Sequence, residues 1–372
     1  MASGVDAPIG IPLDIPALPV SSTAPLRVLL RGADGALGRK VLALLGSHPQ
    51  IVLCNATASR RQSGRENEID PEIDPEIDPE IDPEIDIVIE LGSGDHDRRA
   101  RRRESVTIPA SECIAEAEIS RARHLVFLSS AMVYGASPIN PIPLTEESVL
   151  RPDPEFVFAR QMASAEQLVE QWRLADRARS ATVLRPVVIM SAEDSSGLAR
   201  ALAAGSASRF GEEDPGSQFV HLEDVANAIV HATVQRLDGV FNVAPDGWIP
   251  SERVRALTGE RMSLPLPSQV AELLGALRWR FQRGPIPPGL RSYITHPWLV
   301  ANDRLRATGW SPTVTNEQAY VEGTEARWWT MVSPQRRQEL ALAGLGIVTV
   351  NLVVMGVWLL VRWRRRAARS LK

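Results

Sequence analysis

Lysine is nearly missing from this chain. Of 372 residues only Lys40 and Lys372 are lysine, against 39 arginines, so any mechanism that needs an amine between those two positions is excluded. Cysteine is equally scarce. Cys54 and Cys113 sit in apolar stretches with no CxxC spacing, a usage that suits buried free thiols in a reducing compartment and not a disulfide framework. No HExxH run and no carboxylate cluster with ligand spacing occurs, and Asp95-His96-Asp97 is too short a constellation to claim a metal. The first 24 residues carry four prolines and no positive n-region, which argues against a secretory signal and for a loosely ordered arm over 1–24.

Charge is abundant but segregated. The formal net charge is -4, yet Glu68 to Asp86 holds ten acidic residues and no basic ones, so the remainder stands at +6. That block is Glu-Ile-Asp-Pro four times over, ending in Glu84-Ile85-Asp86. Proline at every fourth position removes a backbone donor per turn and clashes with the preceding turn, which excludes a helix. It equally excludes a central strand. Repulsion among the carboxylates favours an extended, solvated loop over 68–86. Downstream, Arg98, Arg99, Arg101, Arg102 and Arg103 offer a basic partner within the same chain, so nucleic acid is not expected as a ligand.

One long apolar run is present. Leu340 to Val361 contains no charge and only Thr349 and Asn351 as polar side chains, and a basic tail (362–372) with Arg362, Arg364, Arg365 and Arg366 follows. At about 1.5 Å per residue, 22 residues span roughly 33 Å, enough for one transmembrane helix. A single-pass membrane protein with its large domain on the cytoplasmic side is therefore expected. The six positive charges after the span run against the positive-inside rule, which leaves a hairpin or interfacial helix as the alternative.

Between arm and tail the pattern is strand, glycine turn, helix, strand. Leu26 to Leu30 reads as a buried strand, Arg31 to Gly38 as a glycine turn, Leu37 to Leu45 as a helix and Ile51 to Asn55 as a second strand. Further strands are expected near Asp86–Leu91, His124–Ser129 and Thr182–Val188, an alternation that predicts an α/β fold with a doubly wound parallel sheet. The proline-rich stretch Arg283 to Gly289 breaks the second half into short pieces, which suits a smaller C-terminal substrate lobe, mainly 190–330, inside a domain spanning 25–335.

Gly32-x-x-Gly35-x-x-Gly38 follows a strand and opens a helix, where backbone N–H groups can approach a pyrophosphate. This spacing resembles the extended short-chain dehydrogenase/reductases, the NAD-dependent epimerase/dehydratase family. Four more segments agree with that family's patterns. Phe127-Leu128-Ser129-Ser130-Ala131-Met132-Val133-Tyr134-Gly135 looks like its SSxxVYG strand end, and Val183-Leu184-Arg185-Pro186 like its LRP. Phe219 to Ala226 is similar to its FVHVxDVA, and Asn302 to Pro312 to its closing segment. The resemblance covers roughly Leu26 to Glu322 and implies a Rossmann-like fold, a dinucleotide at Gly32, Gly35, Gly38 and Gly92, a nucleotide-sugar substrate near Arg185, Pro186 and His221, and a homodimer formed through the helix around Ala163 to Trp172.

The same resemblance shows what is gone. The family uses a hydroxyl residue, a tyrosine and a lysine four residues after it, and Ser130 matches the first. The register set by Ala163-Ser164-Ala165-Glu166 puts Phe158 at the tyrosine position and Met162 at the lysine position. Phe has no ionisable hydrogen and Met no charge, so neither can carry the proton step, which costs about 10²- to 10⁴-fold in rate when a positioned acid/base is lost. Tyr134 belongs to the VYG segment, and Glu90 replaces a histidine of the family's third strand. A base at Glu90 competes with a simple pairing to arginine. Where the second strand of the family ends in an acidic residue, this chain has Asn55, followed by Arg60 and Arg61, a set that favours the 2′-phosphate of NADP over NAD. A degenerate binder, an active enzyme with another acid/base and a protein-interaction scaffold all remain open at this stage.

Overall fold

The computed structural model describes residues 24–57, 85–92, 107–193, 195–206, 216–258 and 289–324. The N-terminal arm, nearly all of the acidic repeat, Arg60, the Arg98–Arg103 cluster and the apolar run 340–361 lie outside the described residues. Among the described residues no helix is long and apolar enough to cross a membrane.

Six parallel strands form the main sheet: β1 (Leu26–Arg31), β2 (Ile51–Thr57), β3 (Ile87–Glu90), β4 (His124–Leu128), β5 (Ser180–Pro186) and β8 (Gly239–Val243). Their order is β2-β1-β3-β4-β5-β8. The expected doubly wound sheet is therefore present, with β1 to β5 within a few residues of their predicted places and β8 a strand that the sequence reading did not include. Its direction reverses between β1 and β3, because β2 lies on one side of β1 and every later strand on the other. In open parallel sheets a ligand crevice forms outside the carboxyl ends at such a point.

The central strands read as continuous apolar runs because both faces are covered. Val28 and Leu30 of β1, and Ile87, Val88 and Ile89 of β3, are fully buried, each worth about 1.5–3 kcal/mol of transfer free energy. Helix α1 (Ala36–Gly46) and the later helix α5 (Leu222–Gln235) cover one face, while α2 (Thr107–Ile119) and α3 (Val157–Leu174) pack together on the other. Pro109 is tolerated in α2 because it falls in the first turn, where its missing N–H is not needed. The end of the acidic repeat is already part of the fold. Ile85 is buried, and a carboxylate oxygen of Asp86 accepts the Arg27 backbone N–H at 2.9 Å.

A second layer sits over the carboxyl end of the sheet. It comprises the parallel pair β6 (Val188–Met190) and β7 (Phe219–His221), with α4 (Gly197–Ser206), α6 (Ser251–Thr258), α7 (Leu290–Thr295), α8 (Asp303–Ala307) and α9 (Asn316–Gly323). The run expected as one strand over Thr182–Val188 breaks at Val187, so β5 stays in the main sheet and β6 pairs with β7. Of the two cysteines, Cys113 is buried in α2 and Cys54 is half-buried on β2; both are free thiols. Burial pushes the Cys113 thiol well above its ordinary pKa.

His124, 2% exposed at the start of β4, lies 2.8 Å from Ser180 Oγ and 3.2 Å from Thr182 Oγ1. Desolvation, with Arg236 adding to it, lowers its pKa to about 3. The unfolded chain, with an imidazole near its ordinary value of 6.5, takes up a proton that the folded chain refuses. Stability from this group is complete above pH 6.5 and is lost as pH falls from 6.5 toward 3, at about 1.4 kcal/mol per pH unit. Urea melts across pH 4 to 7 should show this slope in the parent chain and a shallower one in His124→Gln.

Candidate functional site

The crevice predicted by the strand order is there. It is an open cleft of about 120 Å³ between the carboxyl ends of β1, β3 and β4 on one side and β6 with α4 on the other. Gly32, Gly35, Gly38 and Gly92 all line it, as do Ser130, Phe158 and Pro186.

The glycine turn is built for close backbone approach. Gly32 has φ +84°, and a Cβ there would stand 2.1 Å from the Gly92 carbonyl oxygen. A Cβ on Gly38 would stand 2.3 Å from the Gly32 carbonyl oxygen and 2.6 Å from Ala33 Cα. Thus Gly32 lets the turns after β1 and β3 touch, and Gly38 lets α1 lie against the turn. Gly35 is the N-cap of α1 with extended backbone, offers no side-chain cap, and is followed by a first turn without an acidic residue. The leading N–H groups of an 11-residue helix, with its positive dipole end, border the cleft. This donor set fits a pyrophosphate.

Glu90 is held away from base chemistry. It is buried and pairs with Arg31 Nε at 2.7 Å, while its other oxygen accepts the Gly92 N–H at 2.8 Å. Arg31 in turn reaches Glu112 and Glu116 of α2. Although burial opposes its charge, Glu90 and Glu116 hold the Arg31 guanidinium above its usual pKa. The pairing with arginine is what the structure realises, and it steadies the Gly92 turn that Gly32 touches.

Ser130, at the end of β4, caps the one-turn helix Ala131–Tyr134; its Oγ accepts the Met132 N–H at 3.3 Å, and the residue lines the cleft. Phe158, in the first turn of α3, is 6% exposed and contributes to the cleft wall. Met162 follows one turn later at 2% exposure and is packed in the core without lining the cleft. The positions of the family's tyrosine and lysine are therefore apolar, one at the cleft and one beneath it.

Arg185 and His221 do not line this cleft. Strand side chains alternate, and β5 sends Pro186 to the cleft but Arg185 toward α3. There Arg185 makes a fork to Glu166, with Nε–Oε1 at 3.0 Å and Nη2–Oε2 at 2.6 Å, and donates to the Tyr134 hydroxyl at 2.8 Å. Ser129 donates to Glu166, and Tyr134 donates to Asn242 at 2.8 Å. Tyr134 is 1% exposed, and burial raises its pKa despite the adjacent Arg185. It is a structural hydroxyl. His221 is the N-cap of α5, its Nδ1 accepting the Glu223 N–H at 3.3 Å and its Nε2 lying 3.2 Å from Glu322. Asn55 lies on β2, in register with Leu29 of β1.

Sequence reasoning did not find much of the remaining wall, which includes Met132, Val187, Val188, Ser196, Leu198 and Leu202. The hydrophobic run after Pro186 was the available signal, but it read as a continuation of β5. Among the described residues that line the cleft none is charged.

Comparison with known proteins agrees with this geometry. Uncharacterized proteins of Mycobacterium bovis and Mycobacterium tuberculosis are 25% identical over 219 residues, 58% of this chain and 57% of each relative; the chain thus spans little more than half the length of the curated relatives it matches. A UDP-glucose 4-epimerase of Thermotoga maritima, solved with UDP-glucose, superposes with a TM-score of 0.53 at 17% identity, over 82% of this chain and 100% of that one. The Thermus thermophilus UDP-glucose 4-epimerase in complex with NAD gives 0.54 at 17%, over 81% and 98%. RMD of Pseudomonas aeruginosa complexed with NADPH gives 0.52 at 18%, over 80% and 98%. These structures share the fold. A sequence model of the NAD dependent epimerase/dehydratase family matches residues 28–244, more than half of the chain, and the chain belongs to that family.

Proposed function

We propose that this chain binds a nicotinamide dinucleotide in the cleft and has lost the family's proton-transfer pair, so that it is a catalytically degenerate binder. The observation that carries the reading is the juxtaposition of an intact glycine turn with Phe158 at the cleft wall. Gly32 and Gly38 let the turns after β1 and β3 and the start of α1 pack closely at the cleft, and the open start of α1 supplies N–H donors for a pyrophosphate. A dinucleotide bound there brings hydride chemistry, as NAD and NADPH complexes of the Thermus and Pseudomonas neighbours illustrate. The chain's own residues at the reacting end are Ser130, able to orient an oxygen, and Phe158, which excludes water but exchanges no proton. Arg60 and Arg61 after β2 support NADP over NAD. A nucleotide sugar, the ligand of the Thermotoga neighbour, is the partner the resemblance implies.

Titrating the full chain with NAD, NADP and their reduced forms by calorimetry tests the binding half. Binding of at least one, tightest for the NADP pair, is expected; absence of all four would sink it. For the degenerate half, incubation with NAD and UDP-glucose should yield no UDP-galactose and no change in absorbance at the nicotinamide band. Epimerised product would restore the active-enzyme reading.

The apolar run Leu340–Val361 supports a membrane anchor for the same protein, with the dinucleotide-binding domain on the cytoplasmic side. The full chain should then stay in the membrane pellet through alkaline carbonate. Release into the supernatant would remove the anchor.

A further inference from the structure

A charge-free stretch leaves the body of the protein just beyond the one-turn helix Ala131–Tyr134. From Ala136 to Thr145 the sequence is Ala-Ser-Pro-Ile-Asn-Pro-Ile-Pro-Leu-Thr, with no ionisable side chain. Its middle is turned outward. Ile139 is 77% exposed and Ile142 51%, and Pro138, Pro141 and Pro143 are exposed with them, while Leu144 turns inward. Single exposed apolar residues are ordinary on a protein surface, but two isoleucines and three prolines within 138–143 make a contiguous patch.

The loop is poor in free backbone donors. Its three prolines have no N–H. The N–H of Ile139 goes to Ser137 Oγ at 3.4 Å, that of Asn140 to the Ser137 carbonyl at 3.1 Å and that of Leu144 to the Leu299 carbonyl at 2.7 Å. The Asn140 amide, the one polar side chain of 138–143, turns back and donates to the Gly135 and Pro297 carbonyls, each at 2.9 Å. Taking the loop out of water therefore strands few donors, which is the usual cost of bringing irregular backbone into an apolar phase. These bonds and the fixed φ of the prolines also set its shape in advance, so seating it orders little more. Trp248 lies alongside. Leu144 bridges Val300, and Gln218 Nε2 donates to both the Val300 and the Gly247 carbonyls, which holds the residue before Trp248 beside the base of the loop. Trp248 is 51% exposed, and an indole, apolar in body with one N–H, suits the boundary between headgroups and hydrocarbon.

From exposed isoleucines, prolines and a tryptophan beside an internally bonded backbone, we infer that the 138–143 loop is a membrane-contact surface, which dips Ile139 and Ile142 into the interfacial layer of a lipid bilayer. The inference rests on the anchor reading of Leu340–Val361, which brings the domain to a bilayer. The last described residue is Thr324, and the 15 residues between it and Leu340 reach at most about 50 Å. Thr324 follows α9, whose first residue, Asn316, donates to the carbonyl of Ser217, the bridge partner of Ile249. The tether thus starts one short helix away from the Trp248 strand, and a bilayer within its reach meets the loop. A specific protein interface carries about one hydrogen bond per 100–200 Å², and this loop offers apolar area with few directional groups. A fluid hydrocarbon layer needs none. Having no charge of its own, the loop inserts without help from anionic lipid.

The test uses the full chain in phosphatidylcholine vesicles, with Cys54→Ser to remove the half-buried thiol and the polarity-sensitive fluorophore NBD attached at Ile139→Cys. A label at Ile119→Cys is the control. Ile119 is 64% exposed at the end of α2, ahead of β4, whereas the loop follows the other end of that strand. Emission from position 139 should be brighter and shifted to the blue relative to position 119, and quenched by lipid carrying a nitroxide on its acyl chain. Adding phosphatidylserine should change none of this. Ile142→Asp should cut the quenched fraction at least about tenfold, the loss expected when one isoleucine no longer leaves water. Water-like emission at both positions would overturn the inference, and so would bright but unquenched emission at 139, which means that a protein surface covers the loop. Alkaline carbonate extraction of the same vesicles separates the two readings. Protein retained with an unquenched label keeps the anchor and removes the loop contact; protein released, yet quenched when mixed with vesicles, removes the anchor and keeps the loop; protein released and unquenched removes both.

Discussion

Arg185→Met should cost about 3–5 kcal/mol in folding free energy, because it strands the Glu166 carboxylate in the interior. Both side chains are nearly inaccessible, 5% and 6% exposed, and together they anchor Ser129 at the end of β4 and Tyr134 in the turn beyond it. The arginine also lies 4.8 Å over the Tyr134 ring. Burial works against its charge, but Glu166 and the Tyr134 oxygen more than offset this and raise its pKa. The loss should be strongly non-additive. Glu166→Leu with Arg185→Met removes both charges at once, and the double variant should be at least about 2 kcal/mol more stable than the sum of the single losses predicts. Urea denaturation of the four proteins measures the cycle. Additive losses would mean that the two side chains are not coupled as the fork implies, and that Arg185 is available to a ligand after all.

That pair also shows where reading a sequence runs out. The Leu-Arg-Pro segment was legible as a strand end, because its apolar run and following proline are local. Which of two adjacent residues faces the cleft is not local; it depends on the pleat and on what α3 offers across it. Glu166 is 19 residues upstream of Arg185, and nothing in either segment announces the fork. His221 was misplaced for a similar reason, since a histidine between strand and helix serves as a cap as well as it serves a ligand. By contrast the glycine turn was legible as a unit. Its strand, its three glycines and its helix are contiguous, and the backbone contacts that demand glycine arise within that unit and at Gly92. The apolar half of the cleft draws on β6, α4 and the turn after β4, and sequence patterning could mark these as buried without saying that they border one space. Phe158 was found only because a register could be laid on the helix, and the fold then put its ring at the cleft wall.

Gly38→Val should abolish dinucleotide binding more completely than any substitution in the apolar half of the cleft. The atoms a Cβ would meet, at 2.3, 2.6 and 2.8 Å, are all backbone atoms of Gly32 and Ala33, so no side chain can swing aside. Either the start of α1 moves off the turn or the turn after β1 opens. In both cases the helix N–H groups leave the position from which they face the cleft. Losing one or two hydrogen bonds to a charged phosphate, at about 1.5–3 kcal/mol each, weakens binding by about 10- to 10⁴-fold. The steric cost to the fold is about 1–3 kcal/mol. Gly46→Ala is the control on the same helix. Its Cβ would meet only a Leu53 methyl at 3.7 Å, so it should leave NADPH affinity unchanged and raise stability by about 0.5–1 kcal/mol through the lower entropy of the unfolded chain. NADPH titration and urea melts of the three proteins separate the effects. If Gly38→Val folds and binds NADPH as the parent does, the glycine turn is a packing device only, and the pyrophosphate has to be sought elsewhere on the chain.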